Sequence, residues 1–339
     1  MWFKRKVTIL SVDGGGIRGY IPALILREVE KRLARRGVDK SLGRCFDLIA
    51  GTSTGAMIAL GLAAPKELPN TAYSRKEAAF TSADLAALYE EHGLEIFPRR
   101  IFRQFQTMRH AFTEKYSDGR FYDLLKHYFG ERTINDALTN VLITSFDIDS
   151  YQPVIIKKTP SRRRTSKPAN FYMSDATRAS AAAPTYFEPI RISSVDNAEH
   201  YSLIDGAVFA NNPAMCAFVE AQKIFPRAKS FVILSLGTGS SSPRYTYEQM
   251  KSWGVLEWIQ PSKGVPIANI MNYGQSQCTN YQLEHLPRVE YLRINPGIEG
   301  CNPAIDDAAE ETMACLKRSA ERGIEQYEAT IDRIVSILG

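Results

Sequence analysis

Gly51-Thr52-Ser53-Thr54-Gly55 is the first place in this sequence where residue type and spacing could do chemistry. An apolar stretch ends there and a small-residue stretch begins, so the serine stands at a strand-to-helix turn. Gly51 and Gly55 relieve crowding where the chain reverses, and the turn lifts the hydroxyl to a helix start. Free N–H groups and the positive end of the helix dipole favour developing negative charge at that point. Ser53 is therefore a candidate nucleophile for acyl transfer. The plainer alternative is a tight turn in which Ser53 caps the helix.

A second glycine cluster, Asp13-Gly14-Gly15-Gly16-Ile17-Arg18-Gly19, follows the first apolar stretch. Without Cβ atoms, several N–H groups can point into one small volume, as an oxyanion or a phosphate requires. Gly14, Gly16 and Gly19 also fit the G-x-G-x-x-G dinucleotide fingerprint, which keeps a nucleotide-dependent oxidoreductase open. Its ribose-binding carboxylate is ambiguous, Asp39 being one option, and Gly15 and Arg18 are left without a reason. No GKS or GKT follows the loop, which excludes a Walker A site.

A serine nucleophile needs a base. His92, His110, His127, His200 and His285 are scattered, and none sits in a glycine-rich or strand-end context. The order Ser53, Asp205, His285 would satisfy a serine–aspartate–histidine esterase. Asp205 is itself a candidate base: it ends an apolar run and begins Asp205-Gly206-Ala207, with Asn211-Asn212-Pro213 behind it. A strand-end aspartate can take the hydroxyl proton directly if burial raises its basicity from an ordinary pKa of about 3.9. Read alone, Asp-Gly is equally a turn between strand and helix.

The elements that must position these residues follow an α/β pattern. Residues 7–12 and 46–50 read as short buried strands, each entering a glycine turn and then a helix, at 22–36 and through 62. Ser82 is the expected N-cap of a helix over 82–91. Strands are expected at 140–148, 153–156, 187–192, 201–204 and 230–236, with a small-residue helix over 176–184. The stretch 65–118 reads as an inserted helical and loop region, suited to a lid, and 157–170 as a basic loop. Residues 240–285 show little periodicity, and 304–335 read as a terminal helix or helix pair. The chain is expected to be one domain over 1–339, with 240–339 a C-terminal decoration.

The 339 residues carry 42 Lys plus Arg against 37 Asp plus Glu, a net charge of +5. That balance is too even for a dedicated nucleic-acid binder, and 44% hydrophobic content excludes a disordered chain. Nowhere do 18 apolar residues run uninterrupted, so no spanning helix is expected. Cys45, Cys216, Cys278, Cys301 and Cys315 form no CxxC pair, and their number is odd. The expectation is neither a disulfide framework nor a zinc site, and a reducing compartment.

With these pieces assembled, the chain resembles the patatin-like phospholipase family over about residues 7–240. DGGGIRG at 13–19 looks like the family's oxyanion loop, with Arg18 in its basic place, and GTSTG at 51–55 looks like its nucleophile elbow. ATRASAAAPTYFEP at 176–189 resembles the family block around a proline, here Pro184. Asp205-Gly206-Ala207 corresponds to its Asp-Gly-Gly or Asp-Gly-Ala motif. The resemblance implies a three-layer α/β/α fold with a mainly parallel sheet and a Ser53–Asp205 dyad without histidine. It implies an oxyanion hole from the amides of Gly14, Gly15, Gly16 and Thr54, supported by Arg18, Gly51, Gly55, Pro184 and Gly206.

The resemblance also implies hydrolysis of lipid esters, with no metal or other cofactor in the chemistry. Some bacterial members are antiphage effectors switched on by a cyclic nucleotide. The short chain, expected to be cytoplasmic, looks like that kind or like a housekeeping enzyme, peripheral on the inner membrane surface, with oligomerisation open. Residues 95–112 mix apolar side chains with arginine in a pattern suited to a lipid interface. The triple arginine at 162–164 is suited to lipid phosphate or an anionic nucleotide. Each has a plain alternative, a packed insertion and a solvated loop. A binding module that uses the glycine loop as an anion nest without turnover remains a separate class.

Overall fold

The computed structural model describes residues 6–68, 77–97, 118–158, 169–240, 245–260, 265–302 and 304–339. The first strand sets the architecture. Val7 and Ile9 point to one face and Leu10 and Val12 to the other, all without exposure, so this strand has to be covered on both sides. The same division runs through its neighbours. Leu48, Ala50, Phe231 and Ile233 share a core with Val7 and Ile9; Ile49, Val232, Leu234 and Leu236 join Leu10 and Val12 in the larger core.

Eight strands form one sheet: β1 (Lys6–Val12), β2 (Leu48–Gly51), β3 (Asn140–Asp147), β4 (Gln152–Lys157), β5 (Ile190–Ser193), β6 (His200–Asp205), β7 (Ser230–Leu236) and β8 (Val289–Ile294). Their order is β5-β6-β3-β2-β1-β7-β8, with β4 also paired to β3. The centre and one flank are parallel, whereas β4, β5 and β6 join antiparallel to their partners.

The helices are α1 (Tyr20–Arg35), α2 (Thr54–Ala63), α3 (Ser82–Ile96), α4 (Asp118–Phe129), α5 (Met173–Ser180), α6 (Ala207–Ala210), α7 (Ala214–Ile224), α8 (Tyr247–Met250), α9 (Val255–Trp258), α10 (Pro266–His285), α11 (Glu310–Gln326) and α12 (Glu328–Leu338). The larger core is covered by α1 to α5, α11 and α12, and the smaller by α7 and the end of α10. The fold is a three-layer α/β/α sandwich around a mixed, mainly parallel sheet.

Several expectations need correcting. Thr81, not Ser82, caps α3: its hydroxyl accepts from the Asp84 amide at 3.2 Å while Asp84 reaches back to the Thr81 amide at 2.8 Å. Ser82 is instead the first helical residue, and it donates to Glu30 of α1 through its amide at 2.9 Å and through its hydroxyl. The aperiodic stretch 240–285 contains α10, a helix of 20 residues. The part expected to be decoration supplies β8, a sheet strand in parallel register with β7.

Cysteine counting also failed. Cys301 and Cys315 form a disulfide across 14 residues, tying the turn after β8 to α11, while Cys45, Cys216 and Cys278 are free. An odd count with no CxxC spacing gives no hint of one isolated bridge between a loop and a helix. The bridge removes the basis for the reducing-compartment expectation. No helix among the described residues is long and apolar enough to cross a membrane. Of the two proposed interfacial segments, 98–112 and the basic stretch 159–168 lie outside the described residues.

Candidate active site

Strand register brings the serine and the aspartate together. Gly51 at the end of β2 pairs with Ile143 of β3, and two residues further along β3 Ser145 pairs with Asp205 of β6. Ser53, two residues beyond Gly51, therefore reaches the level of Asp205. Thr52 fixes the spacing between them: its hydroxyl lies 2.6 Å from that of Thr144 and donates to the Ala210 carbonyl at 2.7 Å.

Ser53 has φ 56 and ψ −123 as N-cap of α2, a conformation that non-glycine residues rarely adopt. It makes no side-chain cap bond, so its hydroxyl is left for other work. The flanking glycines are sterically required. A Cβ on Gly51 would lie 2.1 Å from the Gly55 carbonyl oxygen, and one on Gly55 would lie 2.2 Å from that of Val12. The Ser53 amide donates to the Ser180 hydroxyl of α5 at 2.8 Å, which pins the turn from outside. Ser180 lies within the small-residue block of the sequence, and no local pattern there marks its hydroxyl.

Asp205 is only 2% exposed. Burial pushes its carboxyl up to about 7, opposed by the Ala207 amide and by hydrogen bonding from the Ser53 hydroxyl. The Ala207 amide donates to Oδ1 at 2.8 Å, and the Asp205 amide itself donates to the Ala182 carbonyl at 2.9 Å. The block around residues 176–184 thus holds the backbone of Asp205. Pro184 is exposed in the turn beyond it. Gly206 is forced by crowding, because a Cβ there would sit 2.3 Å from the Thr144 hydroxyl oxygen.

The glycine loop lies against the same turn. A Cβ on Gly14 would meet the Asn211 side-chain oxygen at 2.5 Å and the Ser53 Cβ at 3.3 Å. The Gly14 amide is already committed, donating to the Asn211 carbonyl at 3.0 Å. The amides of Gly15, Gly16 and Thr54 have no acceptor among the described residues. Half-buried Arg18 directs Nε toward the Gly15 carbonyl at 3.4 Å, and burial lowers its guanidinium to about 10 against the opposing influence of Tyr186.

Two anchors of this loop come from the far end of the chain. Arg293 of β8 donates to Asp13 through Nη1 at 2.9 Å and Nη2 at 2.5 Å, and Nη1 also reaches the Ser235 hydroxyl at 2.8 Å. Burial pulls the Asp13 carboxyl upward, and the guanidinium opposes it. The Ile305 carbonyl accepts the Ile17 amide at 2.8 Å, in the loop that the Cys301–Cys315 bridge ties down. Neither Arg293 nor Ile305 carries a local sequence signal that points to the loop.

The histidines lie elsewhere. His285 is exposed at the end of α10 with Nδ1 2.7 Å from the Tyr281 carbonyl, and His200 is exposed against the Ser193 hydroxyl at 2.8 Å. His92 faces Glu95 at 3.3 Å, His127 packs edge-on to Tyr128, and His110 lies outside the described residues. None of the four described histidines bonds to Ser53 or Asp205. Among the described residues no group of three or more His, Cys, Asp or Glu could hold a metal ion.

The class this geometry defines is an α/β protein with a serine–carboxylate pair at an elbow beside a glycine loop. The Patatin-like phospholipase family profile matches residues 10–218, and the chain belongs to that family. Patatin-like protein 2 of Oryza sativa subsp. indica is 31% identical over 357 residues, covering 97% of this chain and 86% of its own. Patatin-2-Kuras 3 of Solanum tuberosum is 33% identical over 367 residues, covering 98% and 89% respectively. Probable inactive patatin-3-Kuras 1 of Solanum tuberosum is 31% identical over 366 residues, covering 98% and 92%. Membership alone therefore does not carry activity, and the reacting residues have to be argued individually.

Proposed function

We propose that the protein is a lipid acyl hydrolase of phospholipase A or lysophospholipase type, acting on carboxylic esters of membrane lipids through a Ser53–Asp205 dyad. The observation that carries this is the buried carboxyl of Asp205, brought by strand register to the level of a serine on a strained elbow; burial pushes that carboxyl up to about 7. A carboxylate of that basicity is a competent proton acceptor near neutral pH, where an ordinary aspartate is a poor one.

Asp205 takes the Ser53 proton as Oγ attacks the ester carbonyl carbon. The carbonyl π electrons move to oxygen, and the amides of Gly15, Gly16 and Thr54 stabilise that oxyanion together with the N-terminus of α2. Collapse expels the lipid alcohol, which takes the proton from Asp205 and leaves an acyl ester on Ser53. Water then attacks with Asp205 again as base, releasing the fatty acid and restoring the hydroxyl. Arg18 steadies the loop through the Gly15 carbonyl. The reaction requires no metal in this scheme.

The test is fatty-acid release from mixed phospholipid vesicles, compared with Ser53→Ala. Serine-dependent release supports the reading and opens headgroup and chain position to mapping. A parallel arm adds cyclic nucleotides, because activation by such a signal and an antiphage role belong to the proposal only at this finer level. Absence of serine-dependent release in both arms, with a folded sample, argues for the anion-binding module instead.

A further inference from the structure

Before Leu283, which is buried in the smaller core, helix α10 packs mostly polar side chains inward and leaves its large apolar ones outside. Asn272, Gln275, Ser276, Thr279 and Asn280 lie on its buried or half-buried side, whereas Ile267, Ile270, Met271 and Tyr281 are exposed. A surface helix of a globular protein ordinarily shows the reverse. Its orientation is fixed by specific polar contacts. The Asn280 side-chain oxygen accepts from the Tyr291 hydroxyl at 2.7 Å and from the Asn212 amide group at 3.2 Å. Gln275 donates to the Val208 carbonyl of α6 at 3.1 Å. Turning the apolar stripe inward would break all three.

The exposed apolar surface extends beyond α10. On α9, Val255 and Leu256 are 75% and 77% exposed, and on α6 Val208 is 38% exposed, three residues from Asp205. The link to the candidate site is short: the Asn211 carbonyl holds the Gly14 amide, and the next residue, Asn212, holds α10. No charged residue occurs from Pro266 to Leu283. Trp253 meets Trp258, the last residue of α9, edge-on, and with exposed Tyr247 and Tyr281 they are the side-chain types that settle at the headgroup level of a bilayer.

We propose that the outer face of α9 and α10 docks the protein on a lipid bilayer, with the helices lying in the plane of the interface and their apolar side chains sunk among the headgroups. The inference rests on the lipid-ester reading above, which requires a membrane within reach of the candidate site. The polar inner side rules out insertion across the bilayer, and the uncharged stripe makes apolar burial, rather than attraction to anionic lipid, the driving force. Sliding of substrate from the bilayer toward Ser53 then needs no transfer through water.

The test is flotation of Ser53→Ala protein with phosphatidylcholine vesicles, so that turnover plays no part. The protein should float, equally at low and high salt and with or without phosphatidylglycerol. Adding Ile270→Glu and Met271→Glu should lower the partition coefficient by about tenfold or more. A polarity-sensitive dye on exposed Cys278 should shift to the blue with vesicles. The same double substitution in active protein should leave hydrolysis of a soluble monomeric ester unchanged. Failure to float, equal flotation of the double variant, or loss of flotation in salt overturns the proposal. So does a wild-type dimer that the double variant splits without changing flotation, because a second copy would then cover this face. Predicted flotation without any soluble-ester hydrolysis by the wild type, with and without cyclic nucleotides, would overturn the dyad reading and leave the surface standing.

Discussion

Asp205 and Ile270 sit about as differently as two residues in one chain can. The first is a carboxyl at 2% exposure, the second an isoleucine at 46%. Each is where solvation alone would not put it, and in each case the surroundings hold it there. Asp205 is kept by backbone bonds to Ala182 and Ala207. Ile270 is kept by the polar bonds on the opposite side of its helix. The difference lies in what is gained: burial makes a weak base stronger, and exposure leaves apolar area for something other than water. Departures from inside–outside patterning concentrate where function lies.

The comparison breaks most decisively at the buried end. Asp205→Asn should cut hydrolysis of a soluble ester by about a hundredfold to ten-thousandfold, the usual contribution of a positioned general base, while the fold survives because Asn can still accept from Ala207. Steady-state kinetics on the folded variant checks this. On α10 itself, Leu283→Ala should cost about 2–5 kcal/mol in denaturant unfolding, because Leu283 is fully buried in the smaller core. Cys315→Ser should cost about 2–3 kcal/mol by opening a loop of 14 residues, and because that loop carries the Ile305 carbonyl that holds Ile17, it should also lower kcat.

Protonation sharpens the contrast further. The folded Asp205 carboxyl titrates at about 7 against an unfolded value of 3.8. The stability it contributes is fully present below the unfolded value and is lost as pH rises through the folded one. In the proposed mechanism activity needs the carboxylate, so it should rise through the same interval. Activity and stability should therefore move in opposite directions between about pH 4 and pH 7, and Asp205→Asn should be the more stable protein at pH 8. Thermal unfolding across pH measures both slopes. The smallest effect belongs to the exposed face: Ile270→Ser should change stability by no more than about 0.5 kcal/mol.

The buried end of this comparison was legible in the sequence and the exposed end was not. Ser53 and Asp205 announce themselves because elbow and strand-end motifs are local, and β1 and β2 because buried strands are short apolar runs. Ser180, Asn211, Ile305 and Arg293 act on the site through contacts between distant segments, which no local pattern contains. The last strand, VEYLRI, is broken by Glu290 and Arg293, as suits an edge strand, and so it resembles no apolar run. Helix α10 carries a weak sequence signal because its apolar stripe is sparse and its packed side, Leu283 apart, is mostly polar, which flattens the periodicity that marks helices.

The most direct test of the central claim is covalent trapping. A fluorophosphonate that attacks activated serines should add one phosphonyl group per chain, mapped by peptide mass spectrometry to Ser53. Labelling should be lost in Ser53→Ala, slow sharply in folded Asp205→Asn, and proceed at the wild-type rate in His285→Ala. Labelling at another serine, or an Asp205→Asn protein that labels as fast as wild type while His285→Ala does not, would contradict the dyad.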